Sequence, residues 1–337
     1  MIKANLYIGF IFAILSYNFA QAQNQYHPQK LNTNPIILDG ILSPNEWANA
    51  IPIELNYEIN PGNNSPAKKK TLGYITYTDT DLYIGFHAYD DPKNVRASVR
   101  SRDDFAMYRQ DDIVMVRFDT FADGRNNYIL VANPFGSQFD VRAINALTDD
   151  KRYDGSFNMD FETAGTLVSD GFQVEFKIPF SSLPFPNGQD QKWHFRFARK
   201  YFDENNVEVE IQNQTFDRNN PCQVCQTTEV LILNDITIKK RIELLPYVAG
   251  NLSGEKESIT APLDYNSFKP NAGLGLNLDL SKNSGLEITL NPDFSQVEAD
   301  VTQIDVNSSF ALEYPERRPF FNRGTDIVNF TDGAFYT

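Results

Sequence analysis

The sequence predicts an all-β protein, in which a β-sandwich is followed by antiparallel hairpins of an incomplete β-barrel. Runs with an apolar side chain at every second position recur along the chain, most clearly at residues 172–178, 193–197 and 207–211. Turn-forming residues separate these runs, and long helical patterns are lacking in the sequence. Alternation with a period of two places one face of a strand in a core and the other in solvent. Several short strands of this kind favour a sandwich.

The composition supports this fold and excludes one class of partner. The chain has 337 residues with 26 Phe and 16 Tyr, and aromatic side chains suit the half-buried surface of a sheet. Its net charge is −14, from 30 Lys and Arg against 44 Asp and Glu. Nucleic-acid binding depends on clustered basic residues, so we expect no nucleic-acid partner.

Residues 1–22 are predicted to be a signal peptide. Lys3 supplies the positive start, residues 6–20 are mostly apolar, and Ala20 and Ala22 form a small-x-small cleavage pattern. An uncleaved membrane anchor is the alternative, but the apolar stretch is shorter than the ~20 residues that a spanning helix needs. We therefore expect an exported protein, in which residues 23–35 form a short polar leader.

Export places Cys222 and Cys225 in an oxidising compartment, and we expect a local disulfide between them. A redox motif or half of a zinc site is the alternative for this spacing. The chain has no second cysteine pair.

Within residues 36–235, residues 82–88 and 113–118 are more uniformly apolar and predict central strands. The one helix candidate is residues 43–50. Ser43 would be its N-cap and Glu46 the acid of a capping box.

The pattern changes in residues 240–337. Leucine occupies every even position of residues 273–280, and residues 286–290 continue the same register. The apolar face would meet a core in a soluble sheet and lipid in an outer-membrane barrel. Residues 240–337 could supply roughly four to six strands, whereas the smallest closed barrels need about eight. The region is therefore either not a barrel or part of one.

Four motifs, taken in order, resemble the family 9 carbohydrate-binding module over residues 36–235. They are ILDGILSPNEWANA at 37–50, DLYIGF at 81–86, DDIVMVRFD at 111–119 and DGFQVEFKIP at 170–179. The resemblance implies a jelly-roll or DOMON-like sandwich, an oligo- or polysaccharide ligand, and a role in carbohydrate catabolism. Hydrolysis of O-glycosyl compounds attaches to this family by association with neighbouring enzyme domains.

A second resemblance covers NPDFSQVEAD at 291–300 and YPERRPFF at 314–321. These motifs are similar to the start of an uncharacterised domain of Bacteroidetes-type proteins, which is thought to form an outer-membrane β-barrel. Those proteins are much longer, so the resemblance implies a truncated sequence. It also implies a location in the outer membrane or periplasm of a Gram-negative bacterium.

The resemblance directs attention to aromatic residues, because the family clamps a terminal sugar between two tryptophans. This sequence has Trp47 and Trp193 alone. We expect Trp47 to pack, and the alternation around Trp193 also favours a core position. Tyr108 and Tyr201 would then have to replace the clamp.

The most polar loop is residues 100–112. The candidates for sugar binding, from this loop and from the later aromatics, are Arg102, Asp103, Tyr108, Arg109, Trp193 and Tyr201. The candidates for a Ca²⁺ site, the one cofactor considered, are Asp104, Asp111 and Asp112. A solvated, salt-bridged loop is the alternative for both.

We identify no catalytic residues, because acids are too abundant for their spacing to select a pair such as a glycosidase requires. The leading hypothesis is a non-catalytic binding protein. The alternatives are a glycan-degrading enzyme, a periplasmic structural or docking domain, and a haem site using His87, His194, Met107, Met115 or Met159.

Overall fold

The computed structural model describes residues 24–32, 36–147, 152–155, 157–186, 188–236, 242–252, 254–255, 262, 264–265, 267–281 and 284–291. The predicted signal peptide, the motif at 314–321 and all but the first residue of the motif at 291–300 lie outside these residues. The chain divides into two compact units, Met1–Ile236 and Thr237–Thr337. In the described part, no helix is long and apolar enough to cross a membrane.

The first unit is built almost entirely from strands. In chain order they are β1 (Gln25–Tyr26), β2 (Ile51–Glu54), β3 (Tyr57–Asn60), β4 (Ser65–Pro66), β5 (Thr71–Tyr77), β6 (Asp81–Tyr89), β7 (Ile113–Asp119), β8 (Asn126–Ala132), β9 (Gln138–Ile144), β10 (Tyr153–Asp154), β11 (Glu162–Val168), β12 (Gly171–Pro179), β13 (Gln191–Phe202), β14 (Glu208–Gln212) and β15 (Glu229–Leu233). The helices are α1 (Pro44–Trp47) and α2 (Phe105–Gln110), and 3-10 turns occupy Phe180–Ser182 and Val224–Gln226.

The described strands form two sheets that face each other. The larger sheet has the order β10-β9-β8-β7-β13-β14-β3-β4, and β15 joins β13 and β1. The smaller sheet has the order β11-β12-β6-β5-β2. Phe86 of β6 and Phe197 of β13 meet between them, with ring centroids 4.9 Å apart. A side chain at Gly73 would lie 2.4 Å from the Phe197 ring, so the sheets pack closely there. The predicted sandwich is confirmed.

The alternating runs explain the core. Phe172, Val174 and Phe176 of β12 are buried, and so are Phe195 and Phe197 of β13. Because successive side chains of a strand point to opposite faces, each of these sets faces the other sheet. The strands predicted from alternation are therefore confirmed.

The helices differ from the prediction. Ser43 occupies the N-cap of α1 but makes no capping hydrogen bond with its side chain, and α1 ends at Trp47. The predicted capping box and the extension to Ala50 are therefore wrong. A second helix, α2, lies inside the polar loop, where Asp104 caps it by accepting from the Ala106 N–H at 2.9 Å. Six residues are too few to produce a recognisable helical period.

Residues 24–32, within the predicted leader, belong to the first unit and pair with its larger sheet. β1 pairs in parallel with β15, with Gln25 opposite Val230. The Tyr26 ring packs on the Phe195 ring, with centroids 5.3 Å apart. The backbone of Lys30 forms an isolated parallel β-bridge with Tyr77. Burial beside Glu229 raises the pKa of Tyr26 to about 12.

The second unit contains β16 (Ile242–Asn251), β17 (Gly254–Glu255), β18 (Asp264–Tyr265), β19 (Lys269–Ser281) and β20 (Ser284–Leu290). Its main described sheet is antiparallel, in the order β16-β19-β20. The register aligns Leu244, Leu276 and Ile288 in one row, and Leu244 and Ile288 are exposed. Glu243 and Asn277 form a polar row on the other face. The predicted hairpins with one apolar face are confirmed.

Candidate functional site

The polar loop at residues 100–112 is a salt-bridged structure. Arg100 donates from Nε to Oδ2 of Asp111 at 2.9 Å and from Nη2 to Oδ1 at 2.8 Å. Asn133 donates to the same Oδ2 at 2.9 Å. Asp111 is buried, and both of its oxygens are engaged by protein donors.

The three predicted calcium ligands do not converge. Asp104 caps α2, and Asp111 is engaged by Arg100. Asp112 is buried, and this burial raises its pKa to about 6, although the attraction of Arg199 partly opposes the rise. Among the described residues, no three His, Cys, Asp or Glu side chains could hold a metal ion together. The aspartates predicted as Ca²⁺ ligands therefore do not form a common site among the described residues. Asp104 and Asp111 accept from protein donors, and Oδ1 of Asp112 is buried without a partner among these residues.

Arg102 also has a structural role. Its Nη2 donates to Oδ1 of Asp140 at 2.8 Å and to the carbonyl of Met159. Asp140 is fully buried and also accepts from the Met159 N–H at 2.8 Å. Burial raises the pKa of Asp140 to about 6, against the opposing effect of Arg102. The guanidinium thus pairs with a buried carboxylate, while the side chain remains partly exposed.

The other two polar candidates lie on this loop but do not converge on a site. Asp103 anchors the loop through its N–H, which donates to the carbonyl of Gln138 at 3.1 Å. Arg109 is exposed and lies over the Phe105 ring, 4.8 Å from its centroid.

Two aromatic candidates lie in the core between the sheets, where other side chains pack against their rings. Trp193 is 0% exposed and packs against Phe185 and Phe180, with ring centroids 5.2 and 6.0 Å away. Tyr201 is 1% exposed, and the guanidinium of Arg199 lies 4.8 Å from its ring. The core position favoured by the alternation around Trp193 is confirmed.

The opening motif is fastened to the smaller sheet by a buried carboxylate. Glu175 of β12 accepts from the indole N–H of Trp47 at 2.9 Å and from the backbone N–H groups of Gly40 at 2.8 Å and Asp39 at 3.0 Å. Gly40 has φ of 82°, and a Cβ there would lie 2.8 Å from Thr166. The expected packing role of Trp47 is confirmed, since this motif is a structural clasp.

A second buried charge holds the two sheets together. Arg199 of β13 donates to Oδ2 of Asp90 at 2.6 Å, to the carbonyl of Tyr89 at 3.0 Å and to Oγ1 of Thr71 at 3.2 Å. Lys69 also pairs with Asp90 at 2.6 Å. Every one of these partners lies on or beside the smaller sheet, so the role of Arg199 is to join the layers.

The residues of the haem alternative are engaged elsewhere. Met115 is enclosed in an apolar cluster. His87 contacts Asp170 at 3.1 Å, and His194 lies 3.7 Å from Asp119. Met107 lies in the same apolar cluster as Met115.

The predicted disulfide between Cys222 and Cys225 is present, with their Cα atoms 5.6 Å apart. It stabilises a loop that packs on the outer face of the larger sheet, the face turned away from the smaller sheet. Val224 of this loop is buried in the apolar cluster that contains Met115. The carbonyl of Val224 accepts from Nδ2 of Asn127 at 2.8 Å.

The same outer face carries a group of polar side chains on β7, β13 and β14. Arg196 stands opposite Arg117, Ala198 opposite Gln212, and Lys200 opposite Glu210. We define the outer-face cluster as the residues Tyr108, Arg117, Arg196, Lys200, Glu210, Gln212 and Phe216.

Several polar atoms of the outer-face cluster are buried without a hydrogen-bond partner among the described residues. They are Nε and Nη1 of Arg196, Nε of Arg117 and Oε1 of Gln212. Arg196 is only 2% exposed. Burial, and then the neighbouring Arg117, lowers the pKa of Arg196. Buried polar groups are normally satisfied, so atoms without a partner are potential contacts for a bound molecule.

Two aromatic rings flank these polar atoms. The Tyr108 ring centroid lies 4.3 Å from Nζ of Lys200, and the Phe216 ring centroid lies 5.4 Å from Cζ of Arg196. Burial raises the pKa of Tyr108 to about 12, so its hydroxyl stays protonated and can donate. Of the six sugar-binding candidates, Tyr108 is the one that the structure places in the outer-face cluster.

Sequence reasoning missed the two arginines, although a signal was present. Arg117 interrupts the apolar run of β7, and Arg196 occupies the polar side of the alternating run in β13. Alternation predicts that this polar side faces solvent. In the structure, however, α2 and the disulfide loop, which come from distant parts of the sequence, cover this face of the sheet.

Comparison with known proteins gives separate findings for the two units. The family model of a domain of unknown function, DUF5916, matches residues 239–337. This agrees with the resemblance of the second region to an uncharacterised domain. A search of curated proteins found no match.

Among solved structures, the chain is similar to a family 9 carbohydrate-binding module from Caldicellulosiruptor kristjanssonii in complex with cellotriose, at 18% identity and a TM-score of 0.43, over 64% of this chain and 95% of that one. It is also similar to such a module from the same organism in complex with glucose, at 17% identity and a TM-score of 0.42, over 64% of this chain and 97% of that one.

Proposed function

We propose that this chain is an exported, non-catalytic protein that binds an oligo- or polysaccharide at the outer-face cluster and serves carbohydrate catabolism. One observation carries the proposal: buried donors of Arg196 and Arg117 lie beside a buried acceptor of Gln212, and none of these atoms has a partner among the described residues. Sugar hydroxyls donate and accept, so a saccharide can satisfy both kinds of atom. The rings of Tyr108 and Phe216 add apolar faces, and such a mixture is typical of small-molecule sites.

Isothermal titration calorimetry of the full chain with a panel of oligosaccharides tests this proposal. We expect at least one to bind, and we expect Tyr108→Leu to weaken that binding at least 10-fold. Phe121→Leu is the matched control, because Phe121 is exposed at a turn outside the outer-face cluster. Failure of every oligosaccharide to bind, or equal effects of the two substitutions, would refute the proposal.

We further propose that the second unit associates the protein with the outer membrane. The support is the row of Leu244, Leu276 and Ile288, which gives the described sheet one apolar face and a polar face opposite, as in strands that meet lipid. Fractionation of cells that express the full chain tests this. Recovery in the outer-membrane fraction is expected, and recovery in the periplasmic fraction alone would contradict it.

The glycan-degrading alternative gains no support from the described carboxyl groups. Asp112, Asp140 and Glu175 have raised pKa values, as a general acid requires. However, each is buried and bonded to protein partners apart from the outer-face cluster. Release of reducing sugar by the purified chain would favour the enzyme, and we expect none.

A further inference from the structure

The outer-face cluster contains two like charges that stand directly opposite each other. Arg196 of β13 pairs in register with Arg117 of β7. Side chains directly opposite on antiparallel strands are roughly 5 Å apart at Cβ, and like charges in this position repel. A guanidinium remains protonated under ordinary conditions. The two guanidinium groups therefore repel each other.

The nearby acids do not neutralise this pair by direct contact. Glu210 accepts from Nε2 of Gln212 at 2.6 Å, and Glu208 accepts from Nζ of Lys200 at 3.4 Å. Nε and Nη1 of Arg196 have no acceptor among the described residues. Glu210 does attract Arg196 through space, but burial and the repulsion of Arg117 outweigh it.

A buried charge whose N–H donors lack acceptors is costly, and a like charge directly opposite raises that cost. The arginine pair is not a by-product of a basic protein, since the net charge of the chain is −14. An anion between the two guanidinium groups would satisfy their free N–H donors and remove their mutual repulsion. The planar fork of arginine matches a carboxylate in particular, through two parallel hydrogen bonds.

We infer that the saccharide bound by this protein is an acidic one, whose uronic-acid carboxylate binds Arg196 and Arg117. This inference rests on the proposed function. The flanking rings of Tyr108 and Phe216 and the free Oε1 of Gln212 indicate that the anion belongs to a larger molecule with hydroxyl groups. Oε1 is an acceptor, so it fits a sugar hydroxyl and repels a second carboxylate.

Calorimetry of the full chain with glucuronic and galacturonic oligosaccharides, each paired with its methyl ester, tests the inference. Acid and ester differ in charge and share the sugar framework. We expect the acid form to bind at least 10-fold more tightly than its ester. Arg117→Gln should weaken binding of the acid more than binding of its ester and so remove most of this preference, because a neutral ligand gains less from the charge.

Two further variants separate charge from geometry. Arg196→Lys keeps the charge but loses the planar fork, so it should also weaken binding of the acid at least 5-fold. Arg125→Gln is the matched control, since Arg125 is exposed outside the outer-face cluster and its loss should leave both affinities unchanged. Circular dichroism establishes that each variant is folded. Arg117, which is partly exposed, provides a test if Arg196→Lys does not fold.

The outcomes distinguish the two proposals. Equal binding of acid and ester would overturn the acidic-sugar inference and leave saccharide binding intact. Binding of neither these nor any neutral oligosaccharide would overturn the proposed function itself. Inorganic phosphate that competes as well as the uronic oligosaccharide, at equal concentration, would show a site for free anions and overturn the inference.

Discussion

Replacing Glu175 with glutamine tests whether the opening motif is a structural clasp. Three N–H groups, from Trp47, Gly40 and Asp39, converge on the Glu175 carboxylate within 3.0 Å. Glutamine keeps one acceptor oxygen and places an NH₂ group at the other position, where it faces at least one of these donors. A hydrogen bond to a charged group contributes about 1.5–3 kcal/mol. We therefore expect Glu175→Gln to lower the free energy of unfolding by about 2–4 kcal/mol.

Urea unfolding of the full chain, followed by tryptophan fluorescence, measures this loss. The two tryptophans of the chain lie in the first unit, so their signal reports on that unit. Glu162→Gln on the adjacent strand β11 is the matched control. Glu162 is 61% exposed in its side chain and pairs with Lys177 at 2.7 Å, and an exposed pair contributes less than about 1 kcal/mol. Equal unfolding midpoints for the two variants would refute the clasp.

Three further predictions concern stability and the disulfide loop. Arg199→Met should lower the free energy of unfolding by about 3 kcal/mol, because buried Asp90 loses a partner at 2.6 Å; a loss below about 1 kcal/mol in urea would contradict this. Cys222→Ser should lower the free energy of unfolding by about 2 kcal/mol, because the disulfide closes a short loop. It should also weaken oligosaccharide binding by displacing Val224, and unchanged affinity in calorimetry would contradict this second effect. Burial raises the pKa of Asp112 from 3.8 to about 6, so the folded state holds a proton that the unfolded state releases, and stability falls as pH rises through this range by up to about 3 kcal/mol. Asp112→Asn should remove this loss of stability between pH 4 and 7, so the difference in Tm between the variant and the parent should change with pH. A difference in Tm that stays constant between pH 4 and 7 would show the reasoning to be wrong.

The strands could be predicted because their signal is local. Phe172, Val174 and Phe176 alternate with polar residues, and two neighbouring positions are enough to assign each face. Glu175 shows where this reasoning ends. It lies on the polar side of β12, yet it is fully buried, because a segment more than 120 residues earlier in the chain covers it. Alternation cannot reveal a cover that comes from so far away.

The candidate site divides in the same way. Tyr108 was predicted from a polar loop with an aromatic residue, and it lies in the outer-face cluster. Arg196 was not predicted, since only the register of β13 with β7 places it opposite Arg117. Composition also misled in the loop itself, because Arg102 binds Asp140 from a strand nearly 40 residues later. The sequence indicates which residue types could form a binding site. It does not indicate which side chains each of them contacts, because tertiary structure sets those contacts.

The pairing of β1 with β15 affects how the first unit can form. Gln25 and Val230 are neighbours in one sheet although 205 positions separate them in sequence. Closing so large a loop costs entropy before any contact is gained, and folds rich in such contacts form slowly. β1 therefore has no β15 partner until nearly the whole unit has left the ribosome. The larger sheet is therefore complete only when synthesis of the first unit is nearly finished, and β1 needs protection from wrong strand partners until then.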